Sequence, residues 1–267
     1  MIESYKGVMV FTSGRSGTTL LVETLTDALR IKNPLLPVKN LYELFDTTMV
    51  YDNDWNKVWI DRMEIIPRPT SNGSDIWRLD RMLEQVHSRA LFPVAKLFVN
   101  DLTAHNYPLV KQHILDDPGY YTLSLARKDV ANVIYSSILG RALNRWEKRD
   151  GKTFEIQSES LYHAPEELYK LLGIKVMQNL DWCLFNKTKM HQTIWYHQLI
   201  NDEIEFAELG ISKQDMSKCR NANNSLQKIN SNHEQDIIRY VANSHDVIEF
   251  AHKLEHHCQP VIDRILG

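Results

Sequence analysis

The sequence predicts an α/β fold of three layers, a central parallel sheet flanked by helices. Two observations carry that prediction. Short apolar runs rich in β-branched and aromatic residues alternate along the chain with longer segments of helical periodicity, the pattern of a parallel sheet covered on both faces. The first such run leads directly into a Gly/Ser/Thr turn and then a helix, and ligands of open α/β sheets lie at strand carboxyl ends. With 267 residues the chain can bury one large core, so a single domain over 1–267 is expected.

The elements follow in order. Gly7-Val8-Met9-Val10-Phe11-Thr12 is a buried strand, and Thr18 to Ile31 carries the spacing of an amphipathic helix. Leu36 to Leu41 is a further strand. Thr47 to Ser74 is a long polar excursion in which Met49 to Trp59 mixes acids with aromatics, a composition suited to stacking on a sugar or to packing beside a solvated face. A helix is predicted over Ile76 to Ala90, a strand over Pro93 to Val99 and a helix over Tyr107 to Leu115. Tyr120 to Ala126 is the next buried strand, closed by Arg127-Lys128-Asp129 before a helix over Asp129 to Trp146, with Asp129 at its N-cap or first turn. The C-terminal third is mainly helical, with helices over Pro165 to His191 and His245 to Ile265 and a strand over Thr193 to Leu199.

Composition narrows the function classes. A formal net charge of −3 and a pI near 6.4 give no basic field for nucleic acid. No apolar run is long enough to span a bilayer, and Met1 to Lys6 leaves no room for a signal peptide, so no membrane partner and a cytoplasmic location are expected. Cys183, Cys219 and Cys258 are widely separated and form no disulfide framework or metal-ligand spacing. His252 and His256 lie one turn apart near His257 and Cys258 without a third ligand at suitable spacing, and no metal is expected.

The chemistry concentrates at Gly14-Arg15-Ser16-Gly17-Thr18-Thr19. A strand feeding such a turn aims backbone N–H groups and the positive end of a helix dipole at one point, which makes a phosphate loop and the fold P-loop-like. Gly14 and Gly17 permit tight turning and close approach of a ligand, and the hydroxyls of Ser16, Thr18 and Thr19 add donors. An ATP or GTP loop places Lys after its second Gly. Thr18 stands there instead, and the cation is Arg15, ahead of the Ser-Gly-Thr-Thr. In the second segment Asp129, Asn132 and Ser136 share a polar helix stripe.

Arg15-Ser16-Gly17-Thr18-Thr19 resembles the 5′-phosphosulfate loop of sulfotransferases that use 3′-phosphoadenosine 5′-phosphosulfate (PAPS) and release 3′-phosphoadenosine 5′-phosphate (PAP). In that family an Arg at a strand end and a Ser on the next helix bind the 3′-phosphate, which the resemblance assigns to Arg127 and Ser136, with Ser137 as a fallback. The spacing is nine residues rather than the eight usual in cytosolic animal enzymes, and is closer to bacterial trehalose-type carbohydrate sulfotransferases. Arg15 would stabilise charge on the bridging oxygen. The Lys-Thr-His of cytosolic enzymes aligns with Lys96-Leu97-Phe98, which keeps the Lys and loses the His. The trehalose-type enzymes use a Glu soon after the first helix, and Asn40 to Phe45 resembles that segment, making Glu43 the expected base in apolar surroundings that would favour its protonation. His105, Asp101 and His87 are the alternatives. Arg220, with Lys228, would belong to a late loop over the 3′-phosphate. The activity implied is transfer of a sulfonate to a hydroxyl of a carbohydrate or small metabolite. A P-loop nucleotide kinase or other phosphotransferase, and an inactive nucleotide-binding module, remain the rival readings.

Overall fold

A computed structural model describes residues 2–44, 49–51, 57–59, 79, 83–84, 86–102, 104, 106–142, 161–223 and 233–267. Its centre is a five-stranded, all-parallel sheet built from β1 (Gly7–Thr12), β2 (Val38–Glu43), β5 (Phe92–Phe98), β6 (Tyr120–Ala126) and β7 (Gln192–Trp195), in the order β2-β5-β1-β6-β7. Two short strands of the predicted excursion, β3 (Met49–Tyr51) and β4 (Lys57–Trp59), pair antiparallel as a separate ribbon.

The strands are apolar on both faces because both faces are covered. In β1, Val8 and Val10 point into a core shared with Leu21, Leu25 and Leu29 of α1 (Thr18–Lys32) and Met216 of α6 (Lys213–Ala222). Met9 and Phe11 point the other way, into a core shared with Leu79, Leu83, Val86, Val110 and Ile114. Val110 ends the short helix α2 (Tyr107–Val110), which continues as a π-helical turn over Lys111–Leu115. A third core joins α3 (Val130–Ala142), α4 (Glu166–Phe185), α7 (His233–Tyr240) and α8 (Ser244–Leu266) around Ile134, Ile138, Val176, Leu254 and Ile262. Trp182 of α4 stacks on Phe11 with ring centroids 5.0 Å apart, which closes the second face of the sheet.

The topology places the site. From β1 the chain crosses to β2 at one edge, and from β6 it crosses to β7 at the other, so the connections leave the carboxyl ends of two adjacent strands in opposite directions. That divergence opens a crevice where the strand order reverses.

Within the described residues most predicted elements are present with ends moved by a few residues, while most of Thr47 to Ser74, most of the helix expected over Ile76 to Ala90 and the end of the helix expected to reach Trp146 lie outside them. Two elements end earlier than expected. The strand expected over Thr193 to Leu199 stops at Trp195, and Tyr196–Ile200 form a one-turn helix, α5. The cause is local: the Gln198 carboxamide accepts a hydrogen bond from the Trp195 N–H at 2.9 Å, a cap that a strand continuing through Tyr196 could not make. The helix expected to reach His191 ends at Phe185, where the Asn186 N–H and Nδ2 donate to the carbonyl of Trp182. Among the described residues no helix is long and apolar enough to cross a membrane.

Leu25 is fully buried between α1 and the sheet. Leu25→Ala should lower the unfolding free energy by about 2–5 kcal/mol, the cost of lost burial plus a cavity. Urea titration followed by circular dichroism checks it, with the midpoint falling and the slope unchanged.

Candidate functional site

The loop between β1 and α1 is held by side chains rather than by its own backbone. Thr12 Oγ1 donates to the carbonyl of Leu125 on β6 at 3.2 Å and lies 3.0 Å from Thr18 Oγ1, while Ser16 Oγ bonds the Ser13 carbonyl at 2.8 Å and Thr18 Oγ1 at 2.6 Å. Ser16 and Thr18 are buried. Two of the three hydroxyls expected to face a ligand therefore knit the loop to the ends of β1 and β6. Thr19 behaves differently: its Oγ1 accepts from Lys96 Nζ at 3.2 Å.

Gly17 is the N-cap of α1, at φ 88° and ψ 13°, and no side chain caps the helix. Its conformation favours glycine, and space enforces the choice, since a Cβ at Gly17 would lie 2.3 Å from the ring of Tyr196. At Gly14 neither reason operates: its φ is not left-handed, and a Cβ there would meet nothing within 4 Å. The left-handed turn falls instead on Arg15, at φ 64°, a conformation uncommon outside glycine, asparagine and aspartate. Arg15 and Gly17, two residues apart, thus both take the positive-φ region in the turn that leads into α1.

The second motif meets the first. Arg15 Nε donates to Ser136 Oγ on α3 at 3.1 Å. Arg127, buried at the end of β6, donates through Nη1 to the Arg15 carbonyl at 3.5 Å and grips Asp129 through Nε at 2.8 Å and through Nη2. Asn132 Nδ2 reaches the same carboxylate at 3.4 Å. Of the predicted stripe, Ser136 meets the loop directly and Asp129 through Arg127, while Asn132 bonds Asp129. Ser137, the fallback, donates to the Val133 carbonyl of its own helix at 2.8 Å.

Comparison of the chain with protein-family models, with curated proteins and with solved structures gave no match.

Tyr196 is a site residue that the sequence reading missed. Its ring packs on Gly17, and the Arg127 guanidinium lies over it, 4.3 Å from the centroid. Burial raises its phenol above the ordinary value although the nearby Arg127 pulls the other way, so the ring stays neutral at pH 7. The Trp195-Tyr196 pair at a strand end was the available signal. Its meaning depended on the chain turning at Tyr196, where the Gln198 carboxamide caps the helix.

On the opposite flank, Glu43 ends β2 and pairs through Oε1 with Lys96 Nζ at 2.8 Å. Lys96 is itself buried on β5, and its ammonium bridges Glu43 to Thr19 of the loop. The apolar setting expected for Glu43 does not form around its carboxylate. Leu41 and Leu44 turn into the core, and the charged lysine is its neighbour.

The remaining candidates fall into different places, with Arg220 near enough to Tyr196 to act on its phenol electrostatically. His87 bonds the Tyr120 hydroxyl at 2.6 Å, and Tyr120 opens β6, which puts His87 at the amino end of the sheet, away from the loop. Asp101 lies in the one-turn helix directly after β5. His105 lies outside the described residues. Arg220 sits on helix α6 rather than on a loop, with its guanidinium held by both oxygens of Asp202 at 2.8 and 2.7 Å. That bidentate bond is the main reason the Asp202 carboxyl is held below its usual range. Lys228 falls outside the described residues. Cys183, Cys219 and Cys258 are free thiols, all buried, and burial pushes Cys183 up to about 12 and Cys258 up to about 11. Among the described residues no cluster of three His, Cys, Asp or Glu side chains is placed to hold a metal.

Gly17→Ala should destabilise the fold by about 1–3 kcal/mol, because strain in φ adds to the Tyr196 clash. The double variant with Tyr196→Ala relieves only the clash. Urea midpoints of the two single variants and the double should therefore show partial rescue; full additivity would mean Tyr196 does not press on Gly17.

Proposed function

We propose that the chain is a sulfotransferase that binds PAPS on the β1–α1 loop and moves its sulfonate to a hydroxyl of a carbohydrate or small metabolite. The observation that carries this reading is the junction of the two motifs: Arg15 reaches Ser136 and Arg127 reaches the Arg15 carbonyl, so the loop and the Arg/Ser pair adjoin. A nucleotide with anionic groups at both the 5′ and 3′ positions matches two adjoining cationic sites better than one with a single phosphate chain. An uncapped helix N-terminus supplies further positive potential at the loop. The buried, free cysteines suit a cytoplasmic enzyme.

In the reaction the acceptor oxygen forms a bond to sulfur as the bond from sulfur to the bridging oxygen breaks, and PAP leaves with that electron pair. The protein positions the two oxygens in line and stabilises charge. Arg15 neutralises the departing oxygen, a role for a guanidinium that does not give up its proton near neutral pH. Glu43 takes the acceptor proton. Arg127 and Ser136 fix the 3′-phosphate, with Tyr196 stacking behind Arg127. The kinase reading is weaker, because Thr18 stands where a phosphate-binding Lys is required.

Calorimetric titration with PAP and with ATP and Mg²⁺ tests the class. PAP should bind without metal, and tight Mg²⁺-dependent ATP binding with no response to PAP would overturn the reading. In Arg127→Ala, PAP should lose about 1.5–3 kcal/mol while adenosine 5′-phosphate loses far less, since only PAP forfeits a charge-assisted contact to the 3′-phosphate. Equal losses would make Arg127 structural.

Glu43→Gln keeps the size of the side chain and removes the basic oxygen. Turnover of a hydroxyl acceptor should fall by about 10²–10⁴ with PAP affinity unchanged. Near-normal turnover would move the base elsewhere.

A further inference from the structure

Lys96 stands between two groups that the proposed chemistry uses at different moments. Its ammonium is 2.8 Å from Glu43 Oε1 and 3.2 Å from Thr19 Oγ1, in a setting from which water is largely excluded on the lysine side. β2 and β5 are hydrogen-bonded neighbours with Glu43 directly opposite Lys96, so the pair is fixed by strand register. The register itself is irregular just before this point: Leu41 is bulged out between Asn40 and Tyr42, and Tyr42 adopts φ 52°. Without that extra residue Glu43 would fall one position away and point to the other face of the sheet.

An anion arriving beside Thr19 competes with Glu43 for the ammonium, since Lys96 Nζ already touches both residues. We infer that Lys96 is a positioning residue that exchanges partners, leaving Glu43 for the anionic sulfonate at Thr19 when the donor is loaded. The inference rests on the sulfotransferase reading and adds to it a coupling between donor binding and the Glu43–Lys96 pair. The pair re-forms when the transferred group has left, because PAP lacks the sulfonate that the exchange assigns to Lys96.

Linkage makes this testable without turnover: if Glu43 and the sulfonate compete for Lys96, removing the Glu43 charge must strengthen donor binding. Equilibrium titrations with PAPS and with PAP, in the absence of acceptor, compare the wild-type chain, Glu43→Gln and the double variant Glu43→Gln/Lys96→Met. Neither variant leaves a buried charge facing an apolar group, and thermal melts check that both fold. Glu43→Gln should bind PAPS about three- to tenfold tighter than wild type, the range for a partly buried ion pair, with PAP unchanged. In the double variant the gain should vanish and the preference for PAPS over PAP should fall to the wild-type ratio or below it. Unchanged PAPS affinity in Glu43→Gln, or a gain that persists with Met at 96, overturns the exchange while leaving the sulfotransferase reading intact. A wild-type chain that binds neither nucleotide overturns both.

Discussion

The contact on which the site depends is the hydrogen bond from Thr12 Oγ1 to the Leu125 carbonyl, with the hydroxyls of Ser16 and Thr18 gathered behind it. It joins the last residue of β1 to the end of β6 beyond the point where their paired register stops at Phe11 and Ser124. The two strands would otherwise be free to diverge here, because their connections leave toward opposite edges of the sheet. Holding them together fixes the distance between the loop and Arg127, and with it the reach of Arg15 to Ser136. Buried hydroxyls suit this task, since each can donate and accept and so close a network in a small space without introducing charge.

That network also explains which parts of the loop the sequence could and could not disclose. Position and type were legible: a buried strand, a Gly/Ser/Thr turn and a helix follow one another with the periodicities expected of each, and Gly17 occupies the left-handed position at the helix start. Orientation was not. Whether Ser16 and Thr18 turn outward or inward depends on Thr12 and Leu125, and Leu125 is more than a hundred residues away in the chain. Residue type limits what a hydroxyl can bond, and the partner decides what it does bond.

The same division runs through the rest of the site. Ser136 was legible from its helical stripe, because spacing along one helix determines which residues share a face. Tyr196 was not, because a short apolar run at a strand end reads equally as more strand, and the Gln198 carboxamide decides against it. Arg220 attracted attention as a late cation, yet Asp202, held at φ 58° where the chain turns after α5, aligns both carboxylate oxygens with its guanidinium. Glu43 was found by its place in the sequence while its surroundings were not, since the bulge at Leu41 is what turns Glu43 toward Lys96 and leaves the leucines for the core.

Among the described residues Arg15, Lys96 and Arg127 border the loop, and each has a partner within the chain: Ser136 for Arg15, Glu43 for Lys96 and Asp129 for Arg127. Three cationic side chains converging on a helix N-terminus without such partners would repel one another and the dipole. The partners offset that repulsion and hold long, flexible side chains in place, so much of their rotamer entropy is lost on folding rather than on binding. Arg127 is held by Asp129 through both Nε and Nη2, with the Tyr196 ring against its face, so its orientation is set within the chain rather than by a ligand.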